Sequence, residues 1–594
     1  MYNVNFGYML IVMAGCLVCT MLIKAVPSRP LGRRIKEILH GHIVWNGKQP
    51  WTPSPIEQPP HTPIEQPPHI IIILTDDLGW NFPGYHNSDV HTPTLDLLAT
   101  KEGVRLNHSY MYKFCSPSRG SLMTGRDPWK MASSRCNFIP SSIPEGIDLG
   151  YTFLPEHLAK NNYYTYHIGK WHLGFHTADY TPVARGFNES WGFLEGGQDH
   201  WSRKTGTGKT PCHTPGQPYN SVFNWDLWGQ TTKNFPGGPV YGTNGTKGEL
   251  RTYSGYIFTN KAVASIRNHR AQRGRDPLFM YLSLHNTHTP IQAPERFVNM
   301  YNTGDKRRDT FYGMVSVVDE TMKNITTALK EENMWDNTLL IWTTDNGSPV
   351  STGGSNHPLR GGKANNWEGG IRVPTFVTGG YLPPVMYGKT LNGLVHVSDW
   401  FATFSEIAGL ETQSTSGPGK SDSISMWPYI SGQRDTSPRT TIIHDHRMFT
   451  KQSKEYDGGR CHLSNRFEVA GYDSLGAIRV NNYKLIVGEE YGASWFGQFS
   501  PNITGSSPDL NAVACVEHPC LFNIDDDPGE HDDIAKYNPI IVDKIWKIFN
   551  DSNKAYHPRI LNPKRDVAGF CTAIRQTGGW VAPWLPTDKK LQRV

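Results

Sequence analysis

The feature that most constrains the fold is an unbroken apolar run, residues 70–74, that is followed closely by Asp76 and Asp77. Such a run is typical of a strand buried on both faces, and so of a parallel sheet covered by helices. Similar runs occur at residues 163–168, 278–284 and 338–344. Between the last two runs, apolar residues recur every three or four positions and predict one face of a helix: Phe311, Val315, Val318, Met322, Ile325 and Leu329. Strands that alternate with helices predict a doubly wound α/β domain.

The 594 residues are too many for one compact core and predict two domains with tails. Residues 1–24 contain a hydrophobic run that fits a signal peptide, with an uncleaved signal anchor as the alternative. Residues 25–68 form a proline-rich linker in which Pro-Ile-Glu-Gln-Pro-Pro-His occurs twice. A catalytic domain is predicted at 69–430. Shorter strand patterns among turns predict a smaller C-terminal α+β domain with an antiparallel sheet at 431–594.

The charge balance restricts the class of partner. A net charge of +5 is small for this length, so no nucleic-acid partner is expected. Scattered basic residues nevertheless suit an anionic substrate. If the signal segment is cleaved, no stable membrane span is expected.

Polar residues follow each predicted strand of the large sheet. These are Asp76 and Asp77, Lys170 and His172, His285 and His288, and Asp345 and Asn346. In doubly wound folds the site lies beyond the carboxyl ends of the strands, so these groups are expected to meet. Their carboxylate and amide oxygens predict a Ca²⁺ or Mg²⁺ site, and no Cys/His spacing indicates zinc. We expect His285 to lie outside the direct contacts of the site.

The residues around Cys115 carry the most specific pattern, Cys-x-Pro-x-Arg followed by Thr124-Gly125. A strand is predicted to run into this segment, and an amphipathic turn is predicted at 118–123. Cys115 should therefore lie just ahead of a helix N-terminus, where free backbone N–H groups favour anions. Arg119 adds a planar fork of donors that suits a tetrahedral oxyanion.

This segment resembles the signature of the sulfatase family. Three further segments share the resemblance: Gly169-Lys170-Trp171-His172-Leu173-Gly174, His288-Thr289-Pro290 and Arg360-Gly361-Gly362-Lys363. The resemblance covers residues 69–594 and is closest to the arylsulfatase B, I and J branch, which includes N-acetylgalactosamine-4-sulfatase. It implies an alkaline-phosphatase-like large domain with a central, mostly parallel sheet. It also implies a sulfuric ester hydrolase of the arylsulfatase type that acts on a sulfated small molecule or glycan.

The resemblance also implies the roles of the site residues. Cys115 would be oxidised to formylglycine (3-oxoalanine) by a formylglycine-generating enzyme, and its hydrate would attack sulfur. One Ca²⁺ per chain would be held by Asp76, Asp77, Asp345 and Asn346 together with residue 115. Charge on the sulfuryl group would be balanced by Arg119, Lys170 and Lys363. His288 would protonate the leaving alcohol, and His172 would take the proton of the second hydroxyl.

Departures from the family pattern are few. Lys113 stands where the family usually has a small residue, and Asn162 replaces a usual glycine. The stretch 176–250 departs more, and it is the expected seat of substrate selectivity. Residues 200–250 are expected to form surface loops, and their Gly-Thr-Gly-Lys-Thr at 206–210 fails the phosphate-loop spacing because Arg203 replaces the required glycine.

The cysteine count and the sequons predict export. Once Cys115 and the two cysteines of the hydrophobic run are set aside, six cysteines remain and can pair completely, with Cys136–Cys571 as one possible bridge. A glycoprotein of the secretory pathway, lysosomal or extracellular, is therefore expected. The predicted glycosylation sites are Asn107, Asn188, Asn244, Asn324, Asn502 and Asn550.

Two other functions compete with a sulfatase. A phosphatase or phosphonate hydrolase of the same fold would use Ser or Thr with two zinc ions, and metal content would distinguish it. A secreted glycan-binding relative that never acquires the aldehyde would bind sulfated polysaccharide without turnover.

Overall fold

The computed structural model describes residues 66–131, 139, 141–205, 212, 224–240, 252–413, 420–448, 474–497, 509, 511–552 and 564–587. The predictions for the signal segment, for the linker up to residue 65 and for the sequence at 206–210 fall outside these residues. No helix in the described ranges is long and apolar enough to cross a bilayer.

The strands in chain order are β1 (His69–Thr75), β2 (Gly103–Tyr110), β3 (Tyr164–Lys170), β4 (Glu189–Phe193), β5 (Lys204–Thr205), β6 (Asn224–Trp225), β7 (Trp228–Thr231), β8 (Gly238–Pro239), β9 (Leu278–Ser283), β10 (Thr338–Thr344), β11 (Phe376–Thr378), β12 (Thr390–His396), β13 (Thr441–Met448), β14 (Ser474–Val480), β15 (Tyr483–Val487), β16 (Glu490–Tyr491), β17 (Val513–Ala514) and β18 (Cys520–Asn523). The helices are α1 (Pro93–Thr100), α2 (Cys115–Thr124), α3 (Pro128–Met131), α4 (Leu154–Leu158), α5 (Ser254–Arg273), α6 (Glu295–Val298), α7 (Lys306–Glu331), α8 (Glu368–Ile371), α9 (Asp399–Ile407), α10 (Trp427–Ile430), α11 (Pro539–Ser552) and α12 (Val567–Gln576).

Ten strands form the large sheet, in the order β12-β2-β11-β10-β1-β9-β3-β4-β7-β8. Strands β10, β1, β9, β3 and β4 are mutually parallel, and β12 is parallel to β2. The other three strands, β11, β7 and β8, run antiparallel to their neighbours. The sheet is mixed but mostly parallel, which confirms the predicted fold class.

The register of the parallel strands brings their carboxyl ends to one edge. Thr75 at the end of β1 pairs with Thr344 at the end of β10. On the other side, Leu74 pairs with Ser283 of β9, and Ser283 pairs with Gly169 of β3. The residues that follow these four strands therefore meet, as expected.

Alternate residues of β1 pack on opposite faces of the sheet, as the period of a strand requires. Ile70, Ile72 and Leu74 belong to a buried cluster that includes α9. Ile71 and Ile73 belong to a second cluster with α5 and α7. The predicted helical face from Phe311 to Leu329 lies on α7 and is buried there, which confirms that interpretation.

The C-terminal part contains a four-stranded antiparallel sheet in the order β13-β14-β15-β18, as predicted. One face packs against α11, and the other face packs against Trp367, which precedes α8. The domain boundary at residue 430 stays a prediction. Within residues 200–250, β7 and β8 extend the large sheet, so this stretch contributes more than surface loops.

The disulfides differ from the predicted pairing. Cys571 of α12 pairs with Cys212, with a Cα–Cα distance of 5.1 Å, so the Cys136–Cys571 bridge is wrong. The physical reason is that α12 packs into the cluster that holds Cys212 and Trp228, beside the edge of the large sheet. A second bridge joins Cys515 to Cys520. Cys136 and Cys461, the other two of the six cysteines, lie outside the described residues.

Candidate active site

Cys115 is the first residue of α2, one position further into the helix than predicted. Its side chain is 3% exposed, and all ten residues of α2 are buried, so the amphipathic turn predicted at 118–123 is wrong. The strand β2 leads into this helix, and the Ser118 hydroxyl holds the junction through the backbone N–H and C=O of Tyr112 at 2.9 and 3.1 Å. Cys115 is the free cysteine among the described residues.

Three carboxylates and the Cys115 thiol converge at the carboxyl ends of β1 and β10. The nearest ligand atoms of Asp76, Asp77, Cys115 and Asp345 all lie within 4.8 Å of one another. Cys115 Sγ is 3.6 Å from Asp76 Oδ1 and 3.9 Å from Asp77 Oδ1. Asn346 reaches the same point, because its Nδ2 donates to Asp77 Oδ1 at 2.7 Å.

Three cations neutralise this acidic cluster. Arg119 donates Nε and Nη2 to Asp345 Oδ2 at 2.9 and 2.7 Å, and its Nη1 donates to Ser283 Oγ. Lys170 Nζ donates to Asp76 Oδ2 at 2.7 Å. Lys363 Nζ lies 2.5 Å from Asp77 Oδ1 and 3.3 Å from Cys115 Sγ. The cysteine therefore sits between carboxylates and an ammonium group.

The charges shift the pKa values of the buried acids. Burial alone would raise the pKa of Asp76, but its cationic neighbours, Lys170 first, hold it below the ordinary value. Lys363 does the same for the pKa of Asp77. Burial raises the pKa of the Cys115 thiol to about 12, with Asp345 adding to the shift. An unmodified thiol is therefore protonated at neutral pH and is a poor nucleophile.

Two predicted histidines flank the cluster. His288 Nε2 lies 3.8 Å from Asp77 Oδ2, and its Nδ1 lies 2.8 Å from the carbonyl oxygen of Thr289. His172 follows β3 with a left-handed φ of 56°, and its Nε2 lies 3.1 Å from the carbonyl oxygen of Ile139. Burial lowers the pKa of both imidazoles, that of His172 well below its ordinary value, whereas Asp76 and Asp77 oppose the shift at His288.

His285 lies behind His288, consistent with the expectation that it makes no direct contact with the cluster. It is fully buried, its ring stacks on that of His200 with 4.2 Å between centroids, and it lies tilted against the His288 ring at 5.3 Å. The sequence analysis missed two residues whose hydroxyl groups position Arg119 in the site. Ser283 and Tyr281, on the predicted strand β9, contact Arg119, and alternation along that strand places both on one face.

A family sequence model described as Sulfatase matches residues 68–410, which is more than half of the chain. The chain belongs to the sulfatase family. This sulfatase is 32% identical to arylsulfatase J of Mus musculus over 88% of this chain and 81% of that protein. It is 30% identical to N-acetylgalactosamine-6-sulfatase of Homo sapiens over 58% of this chain and 63% of that protein. The predicted enzyme class, a sulfuric ester hydrolase, is confirmed.

Solved structures agree with the sulfatase fold. The structure of Ps i-CgsB in complex with k-i-k-neocarrahexaose superposes with a TM-score of 0.63 and 27% identity, over 86% of this chain and 98% of that one. The phosphonate monoester hydrolase of Agrobacterium radiobacter shares the fold alone, with a TM-score of 0.52 and 16% identity. The predicted alkaline-phosphatase-like architecture is thus confirmed.

The residues of this sulfatase fit a divalent metal ion. The Oδ1 atom of Asn346 is buried and accepts no hydrogen bond from the described residues, so it is an acceptor without a donor. It stands beside Asp77, within the cluster of three carboxylates. An oxygen-rich set of this kind is what Ca²⁺ and Mg²⁺ prefer. A candidate metal site is therefore present at the end of the sheet.

The predicted glycosylation sites of the sulfatase lie in different surroundings. Asn324 is exposed on α7, and Asn550 is half-buried on α11. Asn107 donates Nδ2 to Asn392 at 3.0 Å, and Asn188 accepts from Thr165 through Oδ1. Asn244 and Asn502 lie outside the described residues. Glycosylation at these positions stays a prediction.

The buried carboxyl groups of Glu195 and Asp226 predict how the unfolding free energy of the sulfatase depends on pH. Burial, with the neighbouring Asp226, raises the pKa of Glu195 to about 8, well above its ordinary value of 4.5. The folded state then keeps a proton that the unfolded state releases, so Glu195 makes the sulfatase less stable as pH rises from 4.5 to 8. We expect Glu195→Gln to remove up to about 1.4 kcal/mol of this loss per pH unit.

Urea unfolding at intervals from pH 4.5 to 8.5 measures this effect. The difference in unfolding free energy between Glu195→Gln and wild type should grow across that window and level off above it. Glu295→Gln, at an exposed position, is the matched control and should give a flat difference. A flat difference for Glu195→Gln as well would contradict the prediction.

Proposed function

We propose that this sulfatase removes sulfate from a sulfated glycan, using a formylglycine made from Cys115 and a bound Ca²⁺. The observation that carries the proposal is the position of Cys115, buried between the acidic cluster and Lys363. A protonated thiol is a poor nucleophile in this position, whereas the hydrate of an oxidised side chain can act as one. Hydrated formylglycine would supply two hydroxyls on one carbon, one to attack sulfur and one whose deprotonation releases sulfate.

The cations of the site would bind and polarise the sulfate ester. Lys363 touches both Cys115 and Asp77, so its ammonium group stands where a sulfuryl oxygen must approach. Lys170 and Arg119 lie behind the carboxylates, fully buried and already oriented. Pre-oriented donors in a buried site stabilise developing charge more than solvent does, and this term usually dominates catalysis of this kind.

The proposed Ca²⁺ would be held by Asp76, Asp77, Asp345 and Asn346, with residue 115 completing the set. When bound, Ca²⁺ would polarise a sulfuryl oxygen and favour the ionised form of the nucleophile. We assign Asp345 to accept the proton of the attacking hydroxyl, since it belongs to the same cluster as Cys115.

The histidines would move the remaining protons. His288 is the more accessible of the two, with 19% of its side chain exposed, and it stands beside Lys363 and Asp77. We assign it, together with Lys363, to protonation of the leaving alcohol. His172 would accept the proton of the second hydroxyl. Its lowered pKa keeps the imidazole in the neutral form, which is the form that can accept a proton.

A glycan is the substrate class that the relatives favour. N-acetylgalactosamine-6-sulfatase is named for a sulfated sugar, and the structure of Ps i-CgsB holds k-i-k-neocarrahexaose. The two disulfides and the relation to arylsulfatase J indicate the secretory pathway. We assign this sulfatase to the lysosome or the extracellular space.

The proposed modification must precede folding. Cys115 is 3% exposed, and no residue of α2 is accessible. A formylglycine-generating enzyme has to bind the peptide segment around Cys115, and because that segment is buried along the whole of α2, it is available for such binding only in the unfolded chain.

Mass analysis of the tryptic peptide Phe114–Arg119 from protein made in a secretory host tests the proposal. The peptide should carry formylglycine at residue 115, and the same preparation should release sulfate from a sulfated sugar. An unmodified thiol in a preparation that hydrolyses sulfate esters would contradict the proposed nucleophile. A modified peptide without turnover of any sulfated sugar would contradict the glycan assignment.

Metal removal gives a second prediction. We expect dialysis against a chelator to abolish hydrolysis and to lower the thermal unfolding midpoint, because an ion that binds only the folded state stabilises that state. Ca²⁺ should restore both. Asn346→Ala should weaken Ca²⁺ binding at least about tenfold in a calorimetric titration. Asn324→Ala, on the exposed face of α7, is the control and should bind as wild type does. Equal binding by both variants would exclude Asn346 as a ligand.

A further inference from the structure

The segment that follows β4 forms a wall against both histidines of the site. A Cβ on Gly196 would come within 2.7 Å of the His172 ring, and one on Gly197 would come within 3.0 Å of the His288 ring. A side chain at Gly196 would displace the His172 ring, and one at Gly197 would press on the His288 ring. The next residue, Gln198, has its backbone nitrogen 3.5 Å from Nε2 of His285. Gln198 thus directly follows the two glycines that contact His172 and His288.

The carboxamide of Gln198 is buried without partners. The residue is 2% exposed, and neither Oε1 nor Nε2 has a hydrogen-bond partner among the described residues. Each buried polar group of an amide that makes no hydrogen bond lowers the stability of the folded state by about 1–3 kcal/mol. Native proteins rarely accept that cost except where function requires it.

The backbone around Gln198 is rigid, so a loose loop does not explain the unmet amide. The Asp199 carboxylate accepts from the backbone N–H groups of Trp201 and Ser202 at 3.0 and 2.7 Å. Its other oxygen accepts from Gln292 Nε2 at 2.8 Å, and Gln292 Oε1 accepts from the backbone N–H of His200 at 3.1 Å. Gln198 is therefore held in place before any ligand arrives.

Resting on the proposed function, we propose that Gln198 is a specificity-determining residue whose carboxamide binds a hydroxyl group of the sulfated sugar. A carboxamide offers one acceptor and two donors, and a hydroxyl both donates and accepts, so one sugar hydroxyl can satisfy both ends. A substrate that carries the hydroxyl pairs both ends of the amide, whereas a substrate that lacks it leaves both ends unpaired. The enzyme therefore discriminates strongly against substrates without the hydroxyl. An aryl sulfate is such a substrate.

The test compares Gln198→Leu with wild type on two substrates. One is 4-methylumbelliferyl sulfate, which has no sugar hydroxyl. The other is the best substrate among the 4- and 6-sulfates of galactose and N-acetylgalactosamine. We expect kcat/KM on the sugar sulfate to fall about 10- to 100-fold, mainly through KM, and kcat/KM on the aryl sulfate to stay within about twofold. The thermal midpoint should stay or rise, because an apolar side chain removes the unmet amide.

Gln292→Leu is the matched control, because Gln292 contacts the same segment, at Asp199 and His200, through both ends of its amide. It should lower the thermal midpoint and reduce activity on both substrates together. Equal losses on both substrates for Gln198→Leu, or no loss on either, would overturn the proposal. A wild-type enzyme that cleaves the aryl sulfate but none of the sugar sulfates would overturn the glycan assignment, and the role of Gln198 with it.

Discussion

Cys115→Ser is expected to lower steady-state hydrolysis of an aryl sulfate by at least about 10⁴-fold, as removal of a nucleophile does in other enzymes. Serine keeps a hydroxyl of similar size at the first position of α2, so the fold and the acidic cluster should remain. It lacks the second hydroxyl that would expel sulfate. We therefore expect at most one turnover, with sulfate retained on the protein and detectable by mass.

Thr124→Ser, at the other end of α2, controls for a general effect of substitution in this helix and should keep full activity. Both variants should unfold at the wild-type midpoint within a few degrees. Multiple turnovers by Cys115→Ser at more than about 1% of the wild-type rate would contradict a formylglycine nucleophile.

Arg119→Met is expected to destabilise the protein by about 3–5 kcal/mol, because it leaves Asp345 Oδ2 without its buried cationic donor. Arg119 and Asp345 are both fully buried and bonded through two nitrogens. The same variant should lose at least about 10²-fold in kcat/KM, since a donor of the site is removed. Urea unfolding and aryl sulfate kinetics measure the two effects.

Arg267→Met is the matched control. Arg267 pairs with Glu331 at 2.9 Å, but both side chains are more than half exposed. Solvent weakens such a pair, so the change in unfolding free energy should stay below about 1 kcal/mol, with no effect on kinetics. Similar losses of stability in the two variants would contradict the role given to the buried pair.

The sequence predicted the parts of this molecule that have local signatures. The apolar run at 70–74 gave the central strand, and the steps from Phe311 to Leu329 gave the helix behind it. The strand ends predicted the site, since parallel strands bring their following residues to one edge whatever the loops between them do. Each of these inferences needed only a pattern within a short stretch of the chain, or the residues that directly follow a strand.

What could not be predicted depends on partners far along the chain. The bridge from Cys212 to Cys571 spans 359 residues, and no sequence feature near either cysteine identifies its partner. The helix α2 is too polar to look buried, yet its Ser118, Ser121 and Thr124 hydroxyls are all bonded within the fold. The unmet amide of Gln198 is visible only once every neighbour is in place.

Lys113, the unusual residue two positions before Cys115, is 3% exposed and donates to Asp445 at 2.7 Å. Its backbone oxygen also accepts from Ala364, next to Lys363. The chain from Lys113 to Asp445 is 332 residues long. At a synthesis rate of about 5–20 residues per second, roughly 20–60 s pass between the two. The ion pair that buries Lys113 beside residue 115 cannot form until Asp445 has been synthesised, so the proposed modification has at least this interval on the growing chain.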